Sequence, residues 1–295
     1  YGRWGKEVTA DAENIIIDGK SYPVLAEKEP DKLPWKDKQV YVVIESTGRF
    51  TDKDGAGLHL KAGAKRVVIS APVSNRHSGE GQNPSDIKTF ILGVNGSKYQ
   101  NEEIISNSSC TTNCIAPVAA IVNMKFGIVK AMMTTIHSYT ADQNLQDGPH
   151  KDLRRARAAA QNIVPTTTGA AISTTETIPE LKGLFDGQGI RVPTAVGSIS
   201  DFTFLLKKKV TVEEVNAAFK EVSRNPLFTN ILAVTEEPLV SSDIVGRPES
   251  AIVDLSMTQV VDGDMVKVFA WYDNEFGYSN RLVEQVLNVG RSLNP

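Results

Sequence analysis

Cysteine is nearly absent from this chain. The 295 residues hold two, Cys110 and Cys114. Four apart on one expected helix, they offer neither a disulfide framework nor a zinc site. Histidine is scarce too, with four copies, of which His59, His77 and His150 lie in polar stretches and are expected at the surface. No apolar run approaches the ~18–20 residues of a membrane span, and there is no signal-like start. The net charge of −3 supplies no general attraction to nucleic acid or to an anionic membrane. A G-x-G-x-x-G turn is also missing: Gly55-Ala56-Gly57, Gly79-Glu80-Gly81 and Gly187-Gln188-Gly189 all lack the third glycine. These absences point away from metal, nucleic acid and membrane as partners and toward a reducing cytoplasm. A hydrophobic content of 41% suffices for a sizeable core, and the length predicts two domains, since ~100–200 residues each is usual. No initiator Met, strand or helix leads in at Tyr1, so the chain is expected to be incomplete at that end.

What is present concentrates around one thiol. Ser106-Asn107-Ser108-Ser109-Cys110-Thr111-Thr112-Asn113-Cys114 is a polar run, and the apolar Ile115 to Val122 follows at once. The pattern predicts a capped helix with Cys110 at its N-terminus. Free N–H groups and the helix dipole there favour an anion and lower a thiol pKa. The stretch alone fits a buried structural cysteine equally well. His137 tips the balance. It ends the strand-like Val129–Ile136 and opens a polar loop, and a cysteine at a helix start with a histidine at a strand end is a nucleophile–base arrangement.

The first hundred residues alternate strands and short helices. Lys38–Glu45 and Ala64–Ser70 are β-branched runs of the kind buried in parallel sheets, with a crossover helix between them from Lys53 to Ala64. Phe90–Asn95 predicts another strand, and the polar loop from Val73 to Asp86 is long. Beyond Cys110 the strand patterns lengthen and alternate, at Thr203–Leu206, Ala251–Leu255 and Met265–Tyr272, with an Asp262-Gly263 hairpin between the last two. Thr211 and Glu214 make a capping box before an amphipathic helix, and Tyr278–Ser292 predicts a terminal helix. The fold class is α/β: an incomplete Rossmann-type parallel-sheet domain plus an α+β catalytic domain with a largely antiparallel sheet.

Several features suit phosphate. Lys151–Arg157 carries four cations in seven residues, although a solvated helix face is the commoner meaning of such a run. Pro165–Ala171 offers hydroxyls and a Gly amide at an expected helix start. Arg191 stands in the apolar Ile190-Arg191-Val192-Pro193, where a buried guanidinium needs an anionic partner.

Six ordered stretches together resemble one family: Ser109–Cys114, His137–Thr140, Arg154–Ala159, Thr168–Ala171, Arg191–Thr194 and Trp271–Ser279. The chain resembles the phosphorylating glyceraldehyde-3-phosphate dehydrogenases over essentially its whole length. That resemblance implies NAD- and phosphate-dependent oxidation of glyceraldehyde 3-phosphate through a thiohemiacetal and a thioester on Cys110, with His137 as proton acceptor. It implies Thr140 and Arg191 on the substrate phosphate, Ser109, Thr111, Thr168 and Gly169 on the attacking phosphate, and Arg155 between them. It implies Asn274 and Tyr278 at the nicotinamide. Glu45–Phe50 and Ser70-Ala71-Pro72 resemble the adenine-side and nicotinamide-side loops, which puts Thr47, Phe50 and Ser70 on the cofactor. It implies domains over 1–109 and 110–275, with a helix over 276–295 returning to the first, and a homotetramer.

The chain departs from the family in lacking its opening strand, Gly-rich turn and helix, beginning roughly fifty residues into the pattern. Loss of that strand would remove a central member of the first sheet. Val196-Gly197 replaces the usual pair after Pro-Thr, a change expected to leave the catalytic positions alone. Gly148-Pro149-His150 leans to NAD and leaves NADP open. The alternatives are an erythrose-4-phosphate dehydrogenase, which hydrolyses its thioester, a cysteine hydrolase without nicotinamide, and an inactive truncated remnant.

Overall fold

The computed structural model describes residues 1–73 and 86–293. The long loop expected between Val73 and Asp86 falls mostly outside the described residues, as does His77. The chain opens with a small antiparallel sheet of β1 (Val8–Ala10), β2 (Asn14–Ile17) and β3 (Lys20–Pro23). Asp18 and Gly19, with φ of 48° and 78°, join β2 to β3 where Ile17 faces Lys20. Two positive φ values are what a two-residue type I′ hairpin demands. The expectation that no strand leads in is therefore corrected. Its signal was present in the Asp-Gly step after Ile15-Ile16-Ile17.

β4 (Val42–Glu45), α1 (Lys53–Lys61) and β5 (Arg66–Ile69) form the expected βαβ unit. β6 (Lys88–Thr89) and β7 (Ile104–Ser106) complete a four-stranded parallel sheet in the order β4-β5-β7-β6. Val67 and Ile69 pack with Ala56 and Ile87 on one face, while Val68 packs with Phe90, Ile105 and Val289 on the other. Coverage of both faces is why β5 is β-branched throughout its apolar run. The strand expected over Phe90–Asn95 does not form. Asn95 Oδ1 accepts from Ile91 N and its Nδ2 donates to Thr89 O, both at 2.8 Å, closing a turn instead. Phe90 and Ile91 are buried as packing residues, so their hydrophobicity reflected burial and not pairing. His59, expected at the surface, is also buried, against Glu45.

The third sheet is the largest. α2 (Cys110–Phe126) leads into β8 (Ile128–Ser138), followed by β9 (Val164–Thr166), α3 (Ala170–Thr177), β10 (Phe185–Val192), β11 (Ser198–Leu206), α4 (Val212–Ser223), β12 (Leu232–Thr235), β13 (Ala251–Val261), β14 (Met265–Tyr272) and α5 (Phe276–Arg291). The seven strands run β12-β13-β14-β11-β8-β10-β9. Only the β10–β8 and β12–β13 pairs are parallel. Alternate residues of β8 and β11 point into a core shared with α2, where Phe202 and Phe204 stack at 5.4 Å against a cluster that includes Cys114, Ile115 and Val118. The Thr211–Glu214 capping box forms as expected. α5 returns to the four-stranded parallel sheet, packing on β4 and β5. The Lys151–Arg157 run is a series of turns and not a helix face, because Asp152 Oδ1 accepts from the Arg154 and Arg155 amides and bends the chain there.

Candidate active site

Two local rules bring the thiol and the imidazole together. Ser108 has φ of +54°, an uncommon value for a buried non-glycine residue. Its amide donates to Ser106 Oγ and its hydroxyl to Thr112 Oγ1, each at 2.9 Å, which holds the turn. Ser109 then caps α2 by accepting from Thr112 N at 3.1 Å, so Cys110 is the first residue of the helix. On β8 the period of two puts Ala131, Met133, Thr135 and His137 on the buried face toward α2. The parallel register sets Arg191 of β10 directly beside His137. Cys110 Sγ lies 3.4 Å from His137 Nε2.

The electrostatics differ from the sequence expectation. Burial pushes the Cys110 thiol above its ordinary range, and the opposing pull of Arg191 and of the Thr111 hydroxyl and amide does not compensate. His137 is pushed down to about 3, first by burial and then by the Arg191 guanidinium. Both groups are therefore neutral at rest: desolvation outweighs the helix terminus and disfavours a thiolate–imidazolium pair. His137 Nδ1 lies 2.6 Å from Ser138 O. We assign its proton to Nδ1 as the donor to that carbonyl, which leaves the Nε2 lone pair facing sulfur. Arg191 Nη1, 2.7 Å from Nδ1, donates to the same carbonyl at 3.0 Å.

Tyr272 and Thr135 complete this floor and escaped the sequence reading. The Tyr272 hydroxyl bonds Thr111 Oγ1 at 3.0 Å and Thr135 Oγ1 at 2.8 Å, and its ring meets the His137 ring edge-on. Thr135 could have been found by the period of two from His137. Tyr272 carried only the weaker signal of a hydroxyl ending an apolar strand. Cys114, one turn along, is fully buried with its thiol raised by desolvation, and its Sγ lies 3.9 Å from Ala270 O and bonds the Ser200 side chain.

Above the pair opens a cleft of about 280 Å³ whose lining includes Ser109, Thr111, Arg155, Thr168, Gly169 and Arg191. Gly169 caps α3, so the cleft faces that helix's N-terminus. Arg155 is held by the Asp142 carboxylate, by Thr166 Oγ1 at 2.9 Å from Nε and by Thr167 O. Thr140 is not among the lining residues; it lies in the loop beyond Ser138, where its carbonyl accepts from Gln143 N.

Three of the residues expected on a cofactor, Thr47, Phe50 and Ser70, lie at the carboxyl ends of parallel strands, where open α/β sheets bind ligands, while Asn274 follows β14 and Tyr278 is in α5. Thr47 and Phe50 follow β4, and Ser70 follows β5. The Tyr278 hydroxyl bonds Ser70 Oγ at 2.9 Å and donates to Ser108 O at 3.0 Å, tying this edge to the turn before Cys110. Pro72 reaches the cleft itself. Asn274 Oδ1 accepts from Gly197 N at 3.1 Å and Ser198 Oγ at 3.0 Å.

Gly197 contacts neither Cys110 nor His137 in these bonds but bears on Asn274 and on Ser138. Besides holding Asn274, its carbonyl accepts from Ser138 Oγ at 2.9 Å. Its φ is +94°, and a Cβ there would sit 2.5 Å from Ser241 O. We predict that Gly197→Ala lowers stability by about 1–3 kcal/mol, the usual cost of a forced backbone conformation, and weakens cofactor binding through Asn274. Denaturant unfolding and NAD titration check this; an unchanged midpoint and affinity would refute it.

A thiol facing an imidazole, beside an arginine- and threonine-lined anion cleft and the ligand edge of a parallel sheet, defines a cysteine–histidine enzyme acting on an anionic substrate. The family models for the glyceraldehyde 3-phosphate dehydrogenase C-terminal domain and NAD binding domain match residues 109–274 and 1–53. The chain is 51% identical over 294 residues to glyceraldehyde-3-phosphate dehydrogenase 2 of Streptomyces avermitilis, covering 99% of this chain and 84% of that protein. It is 51% identical over 286 residues to the Geobacillus stearothermophilus enzyme, covering 96% and 82%, and 52% identical over 295 residues to that of Mycobacterium bovis, covering 99% and 84%. The chain belongs to the glyceraldehyde-3-phosphate dehydrogenase family. No helix among the described residues is long and apolar enough to cross a membrane. None of their His, Cys, Asp and Glu side chains group as a metal site.

Proposed function

We propose that the protein oxidises D-glyceraldehyde 3-phosphate to 1,3-bisphosphoglycerate, using NAD and inorganic phosphate. The observation that carries this is the 3.4 Å approach of Cys110 Sγ to His137 Nε2 at the floor of a cationic cleft. As sulfur attacks the aldehyde carbon, the thiol proton passes to Nε2 and on to the new oxyanion, giving a thiohemiacetal. Neutral at rest, His137 can take that hydroxyl proton back as the hydride leaves and the thioester forms. A phosphate oxygen then attacks the thioester carbonyl, the C–S bond breaks, and the sulfur is regenerated. Arg191 and Thr140 are assigned to the substrate phosphate; Ser109, Thr111, Thr168 and the Gly169 amide to the attacking one. Arg155 stands between them.

A nicotinamide dinucleotide fits the residues present. Asn274 has its oxygen committed to Gly197 and Ser198, so its Nδ2 is the group to donate to a carboxamide oxygen. Tyr278, its hydroxyl pushed up to about 12 by burial, remains a neutral donor beside Ser70. When bound, NAD supplies the hydride acceptor; Thr47, Phe50 and Ser70 are assigned to holding it.

The same proposal divides the chain into a cofactor domain over 1–109, joined by the helix within 276–295, and a catalytic domain over 110–275. The packing of α5 on β4 and β5 supports that division. Homotetramer assembly is supported by the family relationship and by exposed Met132 and Ile163, and a reducing cytoplasm by two free cysteines. Supplied with glyceraldehyde 3-phosphate, NAD and phosphate, the protein is expected to form NADH at a rate that depends on phosphate. Turnover that persists without phosphate would indicate a hydrolytic enzyme of the erythrose-4-phosphate type, and failure to form NADH would overturn the proposal.

A further inference from the structure

The buried carboxylate of Glu45 has no part in the chemistry above. It closes β4, an otherwise apolar strand, and is 2% exposed. A buried charge is costly unless bonded on all sides, and this one is. Oε2 meets His59 Nε2 at 2.9 Å, while Oε1 accepts the Thr47 amide at 2.8 Å and the Thr47 hydroxyl as well. On the far side of the imidazole, Trp35 Nε1 lies 3.1 Å from His59 Nδ1.

These contacts leave no freedom in the direction of the bonds. An indole N–H can only donate, so Nδ1 accepts, and the single proton of a neutral imidazole is on Nε2, donated to Glu45. The Thr47 hydroxyl, donating to Glu45, accepts in turn from Arg49 N at 3.1 Å. A continuous chain thus runs Trp35→His59→Glu45, and the same carboxylate gathers Thr47 and, through it, Arg49. Burial pushes the Glu45 carboxyl up, but the bonds from His59 and Thr47 outweigh that and hold it below its usual range.

The geometry makes the loop between β4 and α1 dependent on this chain. Gly48 has φ of +70°, and Arg49 lies over the Phe50 ring at 5.6 Å. Asp52 caps α1 by accepting from Gly55 N at 2.7 Å, and a Cβ on Gly55 would touch Phe50 Cα at 3.0 Å. The helix that starts at the loop carries His59 back to the residue preceding it. Trp35 is itself anchored to the other end of α1, since Lys36 N donates to Ala62 O at 3.0 Å and Gly63 leaves no room for a side chain against Lys36. Strand, loop, helix and the Trp35 segment form a closed circuit with the carboxylate at its centre.

We infer that Trp35, His59 and Glu45 are positioning residues that set the Ser46–Phe50 loop in the conformation that receives the adenosine half of NAD. The inference rests on the cofactor assignment of Thr47 and Phe50 above. It accounts for a buried carboxylate at a strand end where valine or isoleucine would pack without desolvation cost. It also separates this apparatus from the chemistry, since none of the three residues lines the catalytic cleft.

The test compares His59→Phe, which removes both ring bonds, with Trp35→Phe, which removes only the donor to Nδ1, and His59→Gln, whose amide can both accept and donate. NAD and ADP-ribose affinities are measured by calorimetry, and kcat and KM by NADH formation. His59→Phe is expected to weaken NAD and ADP-ribose alike by about tenfold, the equivalent of one to two lost hydrogen bonds. The kcat at saturating NAD and the KM for glyceraldehyde 3-phosphate stay within about twofold of the parent. Trp35→Phe loses less, and His59→Gln recovers most of the affinity. In ¹⁵N spectra His59 is expected as the Nε2-protonated tautomer, losing that preference in Trp35→Phe. If His59→Phe does not fold, Trp35→Phe carries the test by the same readouts. Unchanged ADP-ribose affinity in a folded variant, or His59 found protonated on Nδ1, overturns the inference. Should the parent protein bind no NAD, the cofactor assignment fails, and the positioning claim with it as regards NAD. Hydrogen exchange at the Thr47 and Arg49 amides then decides separately whether the relay holds the loop: faster exchange in His59→Phe supports it, and unchanged exchange removes it altogether.

Discussion

Cys110→Ser is expected to abolish NADH formation, while Cys114→Ser retains most of it. Both thiols are raised by burial, but they are raised in different company. Cys110 is half-buried, opens onto the anion cleft, faces the His137 lone pair and has Arg191 close enough to oppose the desolvation. Cys114 is sealed in the core, its sulfur near a distant carbonyl and the neutral Ser200 side chain, with no cation beside it to oppose the desolvation. A serine hydroxyl at 110 has a far higher pKa than a thiol and no partner strong enough to ionise it, so loss of turnover should be complete within detection. Iodoacetamide labelling supplies an independent reading. Because the resting Cys110 is a thiol, its alkylation rate should climb with pH through and beyond the ordinary thiol value of about 8.5. A rate already at its plateau below neutrality would show a thiolate–imidazolium pair at rest and contradict the electrostatics described here.

His137→Asn is expected to lower turnover by about 10²–10⁴, the usual worth of a general base, with little change in KM. The wild-type ring should stay neutral down to about pH 3. Its depressed pKa also affects stability. Between the unfolded value of about 6.5 and the folded value, the unfolded chain binds the extra proton. The stabilising contribution is therefore complete above the upper limit and is lost as pH falls toward the lower one. Arg191→Leu removes the cation beside Nδ1 and should move the His137 titration upward, toward its ordinary value, which ¹H–¹⁵N spectra of the imidazole would follow. An unmoved titration would mean that burial alone holds His137 neutral.

Much of the architecture was legible because the local rules agreed with the global fold. Strands form inside the Lys38–Glu45 and Ala64–Ser70 runs, shortened to Val42–Glu45 and Arg66–Ile69. The cap before the apolar run at Ile115, the Asp262-Gly263 turn and the Thr211–Glu214 box occur where sequence pattern puts them. Phe90–Asn95 departs from the strand its pattern predicts because an apolar run has the same appearance whether its backbone is paired or merely packed. The β2–β3 hairpin follows the Asp18-Gly19 signal after Ile15-Ile16-Ile17.

The sequence by itself determined which chemical groups this protein has to offer: a thiol at a helix start, a histidine at a strand end, an arginine in an apolar strand, and hydroxyls before a helix. Those follow from residue type and local periodicity, which act over a few positions. Only the tertiary structure decided their charge state and their company. The register that sets Arg191 beside His137 joins residues 54 apart, and the burial that keeps Cys110 and His137 neutral is a property of the packed core. Tyr272 beneath the site, Gly197 behind Asn274 and His59 against Glu45 likewise depend on long-range contacts. Desolvation and close approach arise only once distant segments meet, so no local pattern could carry them.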